Sequence, residues 1–562
     1  WYELPLWQHA STFGCGGWFL QGSVITGEGE VRLEPAESWR YLVSEAWRQD
    51  VPYGWVGYME DYDARLAPQG WQEVDFVDAR WPQAQVLRKR GWWGSDDIVP
   101  FPVMVRRDIP YLLEEIHRPV KVIRWGEVEN ARSDLTVAQA MQVEAICEPK
   151  YCQMRNVGAI LDVPGEVEIT TAGNRSVTVV LDFGKTETGR VCLEVDGPAG
   201  AIVDLRYSER LGPDGNLEIP QWGDYIHAHR ITTGQSPLRW EMFEYAGFRY
   251  LQLTFRNCPE PLRVRWVAVN FTTYPVGERG QFECSDETLN RIYEISRYTL
   301  QCCMHDSYED CPSREQRQWT NDQYVHLLAN YALFGDPLLA RKLLVQVAQS
   351  QRADGQVMMC APGDFSATDS FNMPEFTLHW IMSIPQYVRY TGDTDIVREL
   401  YYSVAKGLEW FERHLDEDDL LSELPGVLWL DWAEVDKKGQ VTEPNARFAG
   451  CLHIAAGMAR QLGYQADADR FDRLADRVAG AINRLLWDEE RGVYIDARRH
   501  GVQSRRVSQE SNTAVVFFGI APRERWTRIL DYILDENRLV VTPISVDAEH
   551  HHPNWRGLDE ES

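Results

Sequence analysis

The hydrophobic period of this chain changes near residue 280, and that change limits the fold more than any other feature. Up to that point the apolar runs are short and alternate, as in Ser176-Val177-Thr178-Val179-Val180-Leu181 and Arg249-Tyr250-Leu251-Gln252-Leu253-Thr254-Phe255. Turn clusters such as Gly212-Pro213-Asp214-Gly215-Asn216 separate them. Period two bounded by Gly, Pro, Asn and Asp is the pattern of sandwich or jelly-roll strands. One helix-like interlude, 133–147, marks a join between two β-units. Beyond Ser285-Asp286-Glu287, a helix start with acidic first-turn residues, the period becomes 3.6. Helices are expected at 285–303, 320–334, 336–351, 375–391, 394–416, 443–463, 465–486, 509–518 and 522–536. The expected organisation is a β-sandwich or jelly-roll domain over 1–155, a β-sandwich over 156–280 and an all-α region over 281–562.

Charge narrows the class of partner. A net charge of −28 opposes nucleic acid and anionic membranes, because phosphate binding requires clustered Lys and Arg. A neutral or small partner fits better, and 22 Trp with 24 Tyr exceed what stacking on a sugar needs, so most belong to cores. Eleven cysteines lack any paired CxxC or His-spaced arrangement and read as reduced core residues. His550-His551-His552 reads as a solvated or crevice-lining run, since three consecutive imidazoles do not share a face. No metal or cofactor is expected, and no apolar run approaches the roughly 20 residues that span a bilayer. A cytoplasmic location is the expectation, with secretion left open because the sequence starts at Trp1. Oligomeric state has no sequence signal here.

Chemistry concentrates in Asp310-Cys311-Pro312-Ser313-Arg314-Glu315-Gln316-Arg317-Gln318-Trp319-Thr320-Asn321-Asp322. Cleaving a glycosidic bond requires a carboxylic acid to protonate the leaving oxygen, polar groups to hold hydroxyls and an aromatic wall for the C–H face. All three residue types occur in this segment. The competing reading is a polar helix start in which Arg314 and Arg317 pair with Glu315 and Asp310. Pro312 biases Cys311 away from helix, so the segment can equally be a loop.

The order of these residues resembles the signature of the bacterial α-L-rhamnosidase family, inverting glycoside hydrolases with an (α/α)6 barrel. That resemblance implies Glu315 as general acid, with Asp310, Arg314, Trp319 and Asp322 lining the sugar pocket. The family's Trp-Thr-Gly-Asp ending is Trp319-Thr320-Asn321-Asp322 here, a mild change because Asn also tolerates left-handed backbone. Similar segments continue in both directions: Glu60-Asp61-Tyr62-Asp63-Ala64-Arg65, Asp182-Phe183-Gly184 and Gly247-Phe248-Arg249-Tyr250 upstream, and Pro374 to Trp380, Tyr390-Thr391-Gly392-Asp393 and Leu430-Asp431-Trp432 downstream. From the downstream set the resemblance adds Trp380, Asp431 and Trp432 to the substrate-binding candidates. Each also has a packing reading: Trp380 as core, and Asp431 with Trp432 as a cap beside a buried indole. Glu375, just after Pro374, can serve simply as a first-turn helix acid.

The implied function is removal of terminal α-L-rhamnose by inversion. Alternatives are the same fold acting on another sugar glycoside, or a sugar-binding protein with impaired catalysis. The helical pattern falls about three helices short of a closed six-pair barrel, so the toroid is expected to be incomplete at its C-terminus. The family's base is a Glu near the end of the barrel, after a Gly-Ala-Thr-Thr-like segment that this sequence lacks, and no residue is assigned as base.

Overall fold

The computed structural model describes residues 20, 22–34, 36–54, 57–85, 105–131, 134–161, 164–218, 228–363, 372–430 and 435–538. Two compact units divide between Tyr274 and Pro275, and the short segment Pro312–Glu315 belongs to the first of them.

The first unit is built on β1 (Leu113–His117), β2 (Lys121–Glu129), β3 (Gln153–Arg155), β4 (Val167–Thr170), β5 (Arg175–Asp196), β6 (Ile202–Ser208), β7 (Ala228–Thr232), β8 (Leu238–Glu241), β9 (Ala246–Arg256) and β10 (Leu262–Thr273). Its axis is β5, a strand of 22 residues. The first half of β5 lies between β2 and β9, with Val177 opposite Glu127 on one side and Phe255 on the other. From Gly189 onward it pairs with β10, and Cys192–Val195 also pairs with β8. Between the halves the register slips from Asp182 to Glu187, around Gly184 at φ 84°, a conformation that glycine adopts without a Cβ penalty. Alternation then sends Val177, Val179, Leu181 and Phe183, and later Val191, Leu193 and Val195, into one buried cluster. Each such side chain contributes roughly 1.5–3 kcal/mol on burial.

The boundary expected at residue 155 is corrected by this pairing. β1 and β2 hydrogen-bond to β10 and β5, and β3 to β4, so 113–129 and 153–273 form one β assembly. The expected interlude is a real helix, α1 (Val137–Val143), with a capping box between Thr136 and Gln139. Its exit is tied to the sheet by Arg256, which donates to both Glu144 oxygens at 2.7 and 2.8 Å and to Asp204 at 2.6 Å.

The second unit is helical. Among the described residues it contains α2 (Glu287–Cys302), α3 (Asp322–Leu333), α4 (Leu338–Gln349), α5 (Glu375–Thr391), α6 (Asp395–Glu412), α7 (Thr442–Leu462), α8 (Gln465–Leu485), α9 (Gln509–Phe517) and α10 (Arg523–Ile533). Asp286 caps α2 by accepting from Thr288 and Leu289 N–H, while Gly392 and Gly463 end α5 and α7 in the left-handed region at φ 75° and 79°. Two kinds of helix alternate. α6 and α8 bury one stripe each, whereas α5 is buried from Glu375 to Ile384 and α7 over most of its length. The two buried helices α5 and α7 are neighbours, with α3 against α5 and α9 against α7.

Candidate active site

The motif is a closed loop followed by a short extended stretch. Asp310 N–H donates to the Arg317 carbonyl at 3.0 Å, and Arg317 N–H donates back to Asp310 Oδ1 at 3.0 Å. Cys311 Sγ lies 3.2 Å from Asp310 Oδ2, and Gln316 N–H reaches the Cys311 carbonyl at 3.2 Å with Gln316 at φ 52°. The loop reading of this segment therefore holds. Within it Arg314 Nη2 contacts Glu315 Oε1 at 3.1 Å, and the Glu315 side chain is only 14% exposed. Both residues sit in the first unit, where a close approach is visible: a Cβ built on Gly247 would lie 2.7 Å from the Pro312 carbonyl.

After the loop, Gln318 to Thr320 run beside Met359 to Ala361, with Thr320 N–H donating to Met359 O at 2.8 Å. Trp319 is thereby held half-buried against Met359, Cys360, Met373 and Phe376, its ring edge-on to Phe376 at 6.2 Å. Val427 and Trp429 pack on the same cluster. Asp322 follows as the first residue of α3.

A cavity of about 410 Å³ opens within the second unit. α3 supplies Tyr324 beside the motif's Asn321, α5 supplies His379, and α7 supplies Glu443 and Arg447. Trp429 and Phe517 contribute flat apolar surface. Glu443 Oε1 and Arg447 Nη2 form an ion pair one helical turn apart, with the side chains 4% and 16% exposed. Behind them Glu375 is fully buried, and its Oε1 accepts from Trp429 N–H. Burial pushes the Glu375 carboxyl up to about 8, assisted by the Glu443 charge and opposed by Arg447, so it keeps its proton at neutral pH. Burial also holds His379 well below the ordinary imidazole range, with the Arg447 charge acting in the same direction, so it is neutral.

The sequence candidates separate accordingly. Asp310, Trp319 and Asp322 belong to the second unit and Arg314 and Glu315 to the first. Asp431 and Trp432 lie outside the described residues. Trp380 is corrected to a core residue: it is 1% exposed, and its indole N–H donates to the Leu344 carbonyl at 3.0 Å. The residues of α5 that reach the cavity are its neighbour His379 and, one turn on, Met382. Glu443, Arg447 and Trp429 escaped sequence reading. Their signal was present for the first two, as opposite charges at i and i+4 in a helix otherwise buried on most sides.

Comparison with known proteins gives a consistent result. The family model for the bacterial alpha-L-rhamnosidase 6 hairpin glycosidase domain matches residues 277–535, and that for the bacterial alpha-L-rhamnosidase concanavalin-like domain matches 173–270. An alpha-L-rhamnosidase of Streptomyces avermitilis is 26% identical over 458 residues, covering 79% of this chain and 37% of that protein. An alpha-L-rhamnosidase of Formosa agariphila is 27% identical over 316 residues, covering 51% of this chain and 30% of that protein. The chain thus spans only about a third of the length of these curated relatives. A solved GH78 family rhamnosidase from a Bacillus species superposes with a TM-score of 0.80 at 21% identity, covering 94% of this chain and 72% of that one. With both halves of the described fold matched in order, the chain belongs to the bacterial α-L-rhamnosidase family.

Proposed function

We propose that this chain is the catalytic part of a glycoside hydrolase that removes terminal α-L-rhamnose from glycosides or polysaccharides with inversion at the anomeric carbon. The observation that carries this reading is the Asp310–Asp322 motif, present with its acid, its arginine and its tryptophan in a chain of this family. Glu315 acts as general acid and protonates the departing glycosidic oxygen. Asp310, Arg314, Trp319 and Asp322 hold the sugar, and Asp431 with Trp432 complete the pocket. On the opposite ring face a water attacks the anomeric carbon as a second carboxylate takes its proton; in an inverting enzyme the two carboxyls stand roughly 6.5–9.5 Å apart to admit that water. The alternation of stripe-burying and largely buried helices supports an arrangement as helical hairpins of an (α/α)6 toroid.

Proton donation matters most where the leaving group is poor. Glu315→Gln should lose at least 100-fold more activity on a rhamnosyl disaccharide than on a nitrophenyl α-L-rhamnoside. Equal modest losses on both would remove Glu315 from the acid role. Proton NMR of the first-released sugar should show the β anomer; release of the α anomer would exclude inversion.

A further inference from the structure

We propose that Glu443 and Arg447 of α7 bind adjacent hydroxyls of one neutral sugar unit in the cavity, Arg447 donating and Glu443 accepting. The proposal rests on the reading that the chain takes glycosides. Unsatisfied polarity is the starting observation. Glu443 Oε2 and Arg447 Nε are buried and have no hydrogen-bond partner among the described residues, although Oε1 of Glu443 and Nη2 of Arg447 engage each other. Glu375 Oε2, buried behind them, is orphaned as well. Leaving one such group unpaired costs about 1–3 kcal/mol, more when it is charged, so folding alone does not account for an unsatisfied Glu–Arg pair at one cavity.

The cavity's chemistry selects the occupant. A donor held beside an acceptor matches a pair of hydroxyls, each of which can give and take a hydrogen bond. Glu443 and Arg447 cancel in charge and Glu375 and His379 are neutral, so this part of the lining has no surplus positive charge with which to hold a carboxylate or phosphate. Met382, Trp429, Leu430 and Phe517 supply the apolar remainder, suited to the C–H face or methyl of a deoxy-sugar. A cavity of about 410 Å³ admits a sugar ring.

Calorimetric titration of the intact chain with L-rhamnose, D-mannose and D-glucuronate tests this, using wild type, Glu443→Gln and Arg447→Lys. Each variant should weaken neutral-sugar binding about tenfold or more and raise KM more than it lowers kcat. Unchanged affinity in both folded variants overturns the proposal, as does wild-type preference for glucuronate or failure to bind any neutral sugar. Binding of mannose but not rhamnose, lost in the variants, sustains the subsite and instead removes rhamnose from the functional reading. Should either variant misfold, a crystal of wild type soaked in L-rhamnose decides. Hydroxyl oxygens must then stand within about 3.2 Å of Arg447 and Glu443, and a sugar seated elsewhere overturns the assignment.

Discussion

Asp310 and Arg317 clasp the neck of the loop that carries Glu315, through two reciprocal hydrogen bonds of 3.0 Å each. Only one of these needs the carboxylate. Asp310→Ala strands the Arg317 N–H, a loss of about 1–3 kcal/mol, and should lower Tm by several degrees together with activity. Asp310→Asn keeps an oxygen at the Oδ1 position, so its Tm should stay within about 2 °C of wild type while kcat/KM still falls. Thermal melts beside rhamnoside kinetics separate the two contributions.

Gly247 is the second support of that loop. A side chain there would meet backbone, the Pro312 carbonyl at 2.7 Å and Ser313 N at 2.9 Å, neither of which can swing aside. Gly247→Ala should therefore cost about 1–3 kcal/mol and move the loop. A displacement of even 1 Å at a reacting group can cost about 100-fold in rate, so kcat/KM should fall at least tenfold. Unchanged kinetics would show that 312–315 tolerates movement.

Glu375 gives stability a pH signature. Its carboxyl is raised from an ordinary 4.5 to about 8, so across that window the folded chain holds a proton that the unfolded chain releases. Stability from this group is full below the unfolded value and is lost as pH rises toward 8, at up to about 1.4 kcal/mol per pH unit. Glu375→Gln cannot ionise. Wild-type Tm should fall relative to that variant between about pH 5 and 8, and parallel curves would mean that Glu375 is not protonated in the fold.

Two tryptophans should behave oppositely. Trp380→Phe leaves the Leu344 carbonyl without its indole donor in a closed core, so Tm should drop with KM unchanged. Trp319→Ala removes a half-buried ring next to the motif and should raise KM about 3–10-fold. A KM effect from Trp380→Phe would return that residue to the substrate.

What the sequence disclosed is local. Helix spans such as 375–391 coincide with the folded element because periodicity, Pro374 and the glycine after Thr391 all act within a turn or two. The motif was equally legible, since thirteen contiguous residues carry it. Trp380 was misjudged by residue type: in a helix buried on most sides, period alone does not separate the cavity face from the packing face. Glu443 and Arg447 lie over a hundred residues from the motif and reach the cavity beside Asn321 only through α3–α5–α7 packing. The false boundary at 155 has the same origin, because no local signal says that β2 will pair with β5 across α1.

β5 belongs to both halves of its assembly: β2 pairs with it before the bulge, β10 and β8 after it, and β9 on both sides. Opening either half strips one flank of the same strand, so neither can melt and leave the other intact. Amide exchange in 175–196 should accordingly follow a single global rate rather than grade along the strand, with the β assembly behaving as one cooperative foldon despite its two pairing halves.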